Sequence, residues 1–554
     1  MKNLLLINGF GSATSIINEL LSNTLTDINI YLSYPLSVLT LAGWVRQELP
    51  DYNIQILDVH MDLHKAISDV NRGPMDVEDF IIQELNKVHF VPDYIGVSMS
   101  FSNGHVACLK IIAACKEKWQ KSKIIAGGMH ATTFTSRIIS EANIDFVVRG
   151  PGDISFIELL KALEGQKNPE NIPGVVTGLN NINNFGFRLE NLDDIPPYPY
   201  DLIDMAYLVE HESTSPVYEK GIRTGLILMS RGCPFSCTYC SASKIHGKKV
   251  FFKSIDRVLS EIEGLINNYK INQLCIIDDL FGVDKKYFYT FFAELERRQL
   301  KLSLVIPGGL SLVLFNEAMI DVLVKYGLEA VNFPLESGSQ YVQDEIIKKH
   351  IDLKKAVQLI TYAKEKGLFV GINIVIGSPG ETQELMNETV EFIKKLPVDW
   401  TSFFVAYPYP GTRMTEILFE RGELTEDKII EIWESSAQGF KLRPFDTREF
   451  SGKKLSEAVY DLNIELNFFS NYNMRTKNYK NLLLKLHKIV DRYSFHVVAL
   501  SCRAKCYHGL GETQKAIEDI ASIYRLITSN VESKHMYLKY KNRIEEAICF
   551  KNVL

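Results

Sequence analysis

In Arg231-Gly232-Cys233-Pro234-Phe235-Ser236-Cys237-Thr238-Tyr239-Cys240, three cysteines fall at C-x3-C-x2-C spacing. The apolar run Leu226–Ser230 precedes them and reads as a strand. The cysteines then stand on a loop at a strand's carboxyl end, the edge where β/α barrels carry their chemistry. Three thiolates on one short loop can each take one iron of a cubane [4Fe-4S] cluster. The fourth iron is left without a protein ligand, open to bind a substrate directly. A zinc site is the alternative, with His246 as a fourth ligand. Zinc favours pairs of C-x2-C knuckles, and no second pair lies nearby.

Downstream, apolar runs recur at Leu274–Ile277, Leu302–Ile306, Ala330–Leu335, Val370–Ile376 and Ser402–Ala406, with helical stretches between them. Together with Leu226–Ser230 they predict a partial (β/α)6 barrel over residues 220–445. Its strand ends carry polar candidates. Asp278-Asp279 ends the second strand, and Leu335-Glu336-Ser337-Gly338-Ser339 closes the fourth. A carboxylate such as Glu336 can accept hydrogen bonds from two hydroxyls. Ile376-Gly377-Ser378-Pro379-Gly380-Glu381-Thr382 follows the fifth strand, where glycine permits close backbone approach. Tyr407-Pro408-Tyr409-Pro410-Gly411-Thr412 follows the sixth. Asp278 and Asp279 equally suit a helix N-cap or a solvated turn.

Upstream, short runs rich in β-branched residues occupy Leu4–Gly9, Ile54–Val59, Tyr94–Met99, Ile124–Gly128 and Phe146–Gly150. Helical patterns such as Leu39–Leu49, Val77–Val88 and Val106–Lys118 separate them. Such alternation predicts a doubly wound, Rossmann-like α/β domain over residues 1–168, with its ligand beyond the strands' carboxyl ends. Residues 169–219, with Asp194-Ile195-Pro196-Pro197-Tyr198-Pro199-Tyr200, read as a linker draped over a surface. Residues 446–554 read as helical throughout. Residues 498–527 are tetratricopeptide-like, but one unit is too few for a solenoid, and a helical cap on the barrel is preferred.

The 554 residues carry a net charge of −6, which gives no basic footprint for nucleic acid. No apolar run approaches the ~18 residues needed to cross a bilayer. The apolar start Met1–Ile7 is too short for a signal peptide and reads as a buried strand. A soluble, cytoplasmic protein is expected. Six further cysteines (Cys108, Cys115, Cys275, Cys502, Cys506 and Cys549) show no convincing ligand spacing and read as small buried hydrophobes.

The cysteine motif, with aromatic Tyr239 before the third cysteine, resembles the radical S-adenosylmethionine (SAM) superfamily over roughly residues 220–415. The resemblance implies that Cys233, Cys237 and Cys240 hold the cluster. It implies SAM contacts from Tyr239, Asp278, Asp279, Glu336, Ser337, Gly377 and Pro379. Glu336 and Ser337 would meet the ribose, the Gly377 turn the adenine, and Asp278 or Asp279 the amino group. The family's usual Gly-Ile-Glu-Ser is Pro334-Leu335-Glu336-Ser337 here.

The upstream domain is similar to the cobalamin-binding domain fused to many such enzymes. The likeness rests on Ser98 and Ser100, on Gly127-Gly128-Met129-His130, and on Arg149-Gly150-Pro151-Gly152-Asp153. It implies cobalamin contacts from Ser98, Ser100, Gly127, Gly128, His130, Gly150, Gly152 and Asp153, with His130 lining the nucleotide-tail loop. Asp58-Val59-His60 is similar to the cobalt ligand Asp-x-His-x-x-Gly of other cobalamin proteins, but position 63 is Leu and the motif follows the second strand. No histidine is therefore expected beneath cobalt. The family likeness implies hydrogen abstraction from an unactivated carbon by a SAM-derived radical, then methyl transfer from methylcobalamin. A small natural-product substrate is expected, with an electron donor such as flavodoxin or ferredoxin. Rearrangement, ring contraction, cyclisation, or methylation of a peptide are alternatives, as is an inactive barrel acting as a binding protein. Tyr407 and Tyr409 are catalytic candidates by position alone.

Overall fold

Alternate residues of the first strand feed two different cores, and this shapes the N-terminal domain. In the computed structural model, which describes residues 1–23, 30–69, 71–141, 143–165, 167–211, 221–435 and 442–549, Leu5 and Ile7 pack on one face and Leu4 and Leu6 on the other. A strand apolar on both sides must be covered by helices on both sides. Strands β1 (Lys2–Asn8), β2 (Tyr52–Asp58), β3 (Tyr94–Ser98), β4 (Lys123–Gly127) and β5 (Phe146–Val148) form a parallel sheet in the order β2-β1-β3-β4-β5. β6 (Val175–Val176) closes its edge antiparallel to β5. The strand order reverses between β1 and β3, which opens a crevice at their carboxyl ends.

The connection after this domain is less superficial than its prolines predict. It supplies β6, and Pro196, Pro197 and Pro199 crowd Gly43 of the helix Leu36–Glu48. The helix Met205–His211 then inserts Met205, Leu208 and Val209 into a core shared with Leu226, Cys275 and Val305. Apolar residues among the prolines need burial, so the segment joins the two domains. Residues 212–219 of the expected linker, position 220, and residues 550–554 at the end of the expected helical domain lie outside the described residues.

The barrel strands are β7 (Thr224–Ile227), β10 (Gln273–Ile276), β11 (Ser303–Val305), β12 (Ala330–Glu336), β13 (Phe369–Ile376) and β14 (Trp400–Val405). β8 (Ser230–Arg231) and β9 (Phe251–Phe252) form a small antiparallel hairpin above them. The parallel sheets β11-β10-β7 and β12-β13-β14 meet at a parallel bridge between Leu304 and Leu328. The six strands thus make an arc. Its outer residues, such as Phe333, Leu335, Ile372 and Ile374, share a core with the helices Ile255–Tyr269 and Leu353–Glu365.

The helix Gly452–Ile464 packs Leu455 and Val459 into that same core. The helices Tyr479–Arg492, Val497–Gly509, Thr513–Ser529 and Val531–Ile548 build a separate core that includes Cys502 and Cys506. Gly509 lets two of them approach, since a Cβ there would stand 2.1 Å from the Tyr479 ring. Among the described residues no helix is long and apolar enough to cross a membrane.

Candidate active site

The cysteine loop is held from three directions. Gly232 has φ +114°, and a Cβ there would stand 2.3 Å from the Lys249 carbonyl oxygen. Only glycine fits. The Gly232 N–H donates to Asp279 (2.9 Å), Cys233 N–H to Gly247 O (3.0 Å), and Thr238 N–H to Ile347 O (3.0 Å). Burial pushes the Cys237 thiol up to about 11, although Lys349 opposes it. Among the described residues no three His, Cys, Asp or Glu side chains converge to hold one metal ion. A cubane needs no such convergence, because each thiolate takes a different iron. His246 is engaged elsewhere, with Nδ1 2.6 Å from Asp279 Oδ2.

Glu336 sits at the mouth of the barrel in a left-handed conformation, φ +67°, where β12 slips register against β13. Such strain costs about 1–3 kcal/mol and persists where surrounding contacts enforce it. Here Oε1 accepts from Tyr239 Oη (3.0 Å) and Lys349 Nζ (2.7 Å), and Lys349 also donates to Pro334 O (2.6 Å). Lys349 is a site residue that sequence reading missed. Ser337 corrects the expected ribose pair. It is fully buried, with Oγ bonded to Thr389 Oγ1 (2.9 Å) and accepting from Ser339 N–H (3.1 Å). β12 ends at Glu336, and the chain leaving its left-handed turn buries the Ser337 hydroxyl against Thr389.

The two acids after β10 also divide. Asp278 accepts from Met229 N–H (2.7 Å) and Ser230 Oγ (2.6 Å), and burial raises its carboxyl to about 6. Each of its oxygens thus holds the start of the cysteine loop. Burial works to raise Asp279, but His246, Gly232 N–H and Arg231 hold it below the usual carboxylate range. It therefore stays charged beside the cysteine loop.

The turn at Gly377, φ +84°, is pinned on both sides. Buried Glu381 accepts from the N–H groups of Gly377 (2.6 Å) and Ser378 (3.2 Å), and burial raises it to about 7. Arg443 donates to Gly377 O (2.7 Å), and Glu449 accepts from Gly380 N–H (2.9 Å). Pro379 remains half-buried on this turn. Tyr407 is buried among Phe134, Trp433 and Phe445, with Tyr409 packed beside it at 5.4 Å between ring centres.

The N-terminal domain holds a cavity of about 320 Å³ between its sheet and the helices Leu36–Glu48 and Gly152–Glu164. Its inner wall is apolar, formed by Leu6, Gly96, Ile125, Val148 and Phe156. Hydroxyls of Ser37, Ser98 and Ser100 stand in one chain at its mouth, 3.0 and 3.1 Å apart. Gly127, Gly128, Gly150 and Gly152 line it, and it extends to Arg231 and His246 beside the cysteine loop. Asp153 lines it too, with its carboxylate 2.9 and 3.0 Å from Arg231 Nη1. This buried ion pair joins the two domains.

His130 does not line this cavity. Its ring is buried, bonded to Ser102 Oγ (3.0 Å) and His105 Nδ1 (3.0 Å), and packed on Trp433. Neighbours on a helix point about 100° apart, so Met129 faces the cavity while His130 faces the core. Burial lowers His130 to about 3 and His105 to about 4, which keeps both neutral.

The Radical SAM superfamily model matches residues 227–393, and the B12 binding domain model matches residues 31–160. An uncharacterized methyltransferase of Pyrococcus horikoshii is 30% identical over 388 residues, covering 69% of this chain and 78% of that protein. The chain belongs to the cobalamin-dependent radical SAM methyltransferase family. It is an enzyme whose cofactors are a [4Fe-4S] cluster, SAM and cobalamin.

The cytidylyl-2-hydroxyethylphosphonate methyltransferase of Streptomyces wedmorensis is 26% identical to the enzyme over 428 residues, 70% of this chain and 78% of that one. Two solved structures share the fold. The radical SAM methyltransferase TsrM of Kitasatospora setae, with cobalamin and a [4Fe-4S] cluster bound, superposes with TM-score 0.56 at 18% identity, covering 76% of this chain and 75% of its own. The cobalamin-dependent SAM radical enzyme OxsB, with aqua-cobalamin bound, gives 0.60 at 15% identity, covering 99% and 79%. The enzyme's side chains fit these cofactors. Three thiols stand on one pinned loop, a carboxylate with two donors faces the barrel mouth, and a glycine-walled apolar slot ends in hydroxyls.

Proposed function

We propose that the enzyme methylates an unactivated carbon of a small natural-product molecule. The observation that carries this reading is the slot of the N-terminal domain opening against Arg231 and His246, so that one wall serves both cofactor sites. Residues 1–168 would form the corrinoid domain, 169–219 the connection, 220–445 the radical SAM domain and 446–554 the helical cap. When bound, the cluster and SAM supply a carbon-centred oxidant, and the corrinoid supplies a methyl carrier.

The chain's own residues bind and orient. Cys233, Cys237 and Cys240 would hold three irons. Glu336 would accept from the ribose hydroxyls of SAM while Lys349 and Tyr239 fix its carboxylate. The Gly377–Gly380 turn would flank the adenine with its backbone held by Glu381, Arg443 and Glu449. Asp278 or Asp279 would meet the amino group of SAM, and Asp279 is held ionised for it. Ser98, Ser100, Gly127, Gly128, Gly150 and Gly152 would line the nucleotide tail of cobalamin, with Asp153 committed to Arg231.

The test is SAM carrying a trideuteromethyl group, incubated anaerobically with reduced enzyme and candidate small molecules. Label on a product carbon, with both 5′-deoxyadenosine and S-adenosylhomocysteine formed, is the expected result. 5′-Deoxyadenosine with a rearranged, unlabelled product would replace methylation by a radical rearrangement.

A further inference from the structure

Charge is shared unevenly along the chain. Residues 471–554 carry 15 lysines and arginines against 7 aspartates and glutamates, although the whole chain has a net charge of −6. Part of that excess gathers on one helix. In Tyr479–Arg492 the side chains of Leu482, Leu483, Leu486 and Val490 are buried in the cap. Lys480, Leu484 and Lys488 are exposed and follow one another at four-residue spacing. Four residues is close to one helical turn, so the three make a single stripe facing solvent. Leu484 at its centre is 62% exposed. Exposed Lys477 stands just before the helix. Asp491 at the far end is the one acid on the helix.

The stripe lies beneath the barrel. Asn471 Nδ2 and Asn473 Nδ2 donate to Asp399 O (2.9 Å) and Oδ1 (2.7 Å), just before β14. Arg475 Nη2 donates to Lys394 O (2.8 Å), which brings exposed Lys395 to the same face. Lys394 pairs with Glu391 (2.7 Å), but among the described residues no carboxylate pairs with Lys395, Lys477, Lys480 or Lys488. Lys485 Nζ stands 5.4 Å over the Trp400 ring and 5.6 Å over the Phe369 ring, the first residues of β14 and β13. The cysteine loop and Glu336 belong to the opposite, carboxyl ends of the strands. β13 has eight residues, about 26 Å at roughly 3.3 Å each. A redox protein seated on the stripe is too far away to reduce the cluster, and a small molecule there is remote from the barrel mouth. The stripe therefore serves attachment rather than chemistry.

An anionic lipid surface matches this pattern. Each lysine close to a leaflet bearing phosphatidylserine strengthens attachment about fivefold. Leu484 has a lysine one turn before it and one turn after it. An apolar side chain so placed enters the headgroup layer while the lysine stems reach back to the lipid phosphates. The phosphates of a nucleic acid would leave Leu484 unused. We propose that Lys395, Lys477, Lys480, Leu484 and Lys488 attach the base of the barrel reversibly to anionic lipid surfaces, with the barrel mouth turned away from the bilayer. The attachment is independent of which molecule the enzyme methylates.

Co-sedimentation of the full-length, cofactor-loaded enzyme with vesicles tests it. One set holds equal parts phosphatidylserine and phosphatidylcholine, the other phosphatidylcholine alone. Attachment to the mixed vesicles only, weakening as salt is raised, is the expected result. Lys477→Gln/Lys480→Gln/Lys488→Gln should weaken it about a hundredfold, at about fivefold per lysine. Leu484→Ser should weaken it about tenfold, the loss expected for partial burial of one leucine. All four side chains are exposed, so thermal unfolding and SAM cleavage in solution should match the natural enzyme. No attachment to the mixed vesicles would overturn the proposal, and so would attachment that survives the triple substitution. Random-sequence duplex DNA is the competing probe. DNA binding as tight as vesicle binding and indifferent to Leu484→Ser would assign the stripe to nucleic acid instead.

Discussion

Arg231→Met should loosen the union of the two domains. Arg231 sits at the start of the cysteine loop, and its Nη1 lies 2.9 and 3.0 Å from the two oxygens of Asp153, whose side chain is 4% exposed. Removing one partner of such a pair leaves the other charge buried and uncompensated, a cost of about 3–5 kcal/mol. That is roughly two to nearly four powers of ten in an equilibrium constant. Replacing both partners removes the stranded charge, so Arg231→Met/Asp153→Asn should recover most of the loss. The assay is a double-mutant cycle on urea unfolding of the cofactor-free chain, with cobalamin affinity read in parallel from its visible spectrum. The expected coupling is about 2 kcal/mol or more. If the two single losses add to within about 0.5 kcal/mol, the pair is independent and the interdomain account of Arg231 fails.

Other predictions follow from the same contacts. Lys349→Met should weaken SAM binding at least tenfold while leaving the cluster's visible absorbance intact, because it strips Glu336 of a donor at 2.7 Å; unchanged SAM affinity would remove Lys349 from the site. Gly232→Ala should prevent stable cluster assembly, since its Cβ would meet the Lys249 carbonyl oxygen at 2.3 Å; iron and sulfide content near that of the natural enzyme would count against it. The seat of Trp433 on His105 and His130 should weaken in acid. Burial lowers His105 to about 4 and His130 to about 3, so the unfolded chain binds more protons below its ordinary histidine value near 6.5. Stability is then complete above about pH 6.5 and falls as pH drops toward 4, by about 1.4 kcal/mol per pH unit for each histidine. Hydrogen exchange in the helix Glu426–Ser435 between pH 7 and 5 measures this, and a flat profile would contradict it.

The parts of the enzyme legible in its sequence are those fixed by local chemistry. The cysteine spacing, the glycines at strand ends and the buried β-branched runs each carry their meaning within a few residues. Lys349 carried no such mark, because it reaches Glu336 through a fold-back 13 residues later. Arg231 and Asp153 are 78 residues apart and meet only when two domains close on each other. His130 misled for a rotational reason. It follows two glycines at the cavity's edge, but one step along a helical turn swings its ring into the core, where Trp433 meets it. Ser337 misled for a backbone reason, because the chain leaving left-handed Glu336 at the end of β12 buries its hydroxyl against Thr389.

The central claim is that one chain carries an iron–sulfur cluster and a corrinoid on either side of the Arg231–Asp153 contact. The most direct test is anaerobic purification with cobalamin supplied, with iron, sulfide and cobalt counted per chain in the natural enzyme and in Cys233→Ala/Cys237→Ala/Cys240→Ala. The account predicts about four irons and one cobalt per natural chain, and loss of the iron alone in the triple variant. Iron retained by that variant, or no cobalt in the natural enzyme, would contradict it.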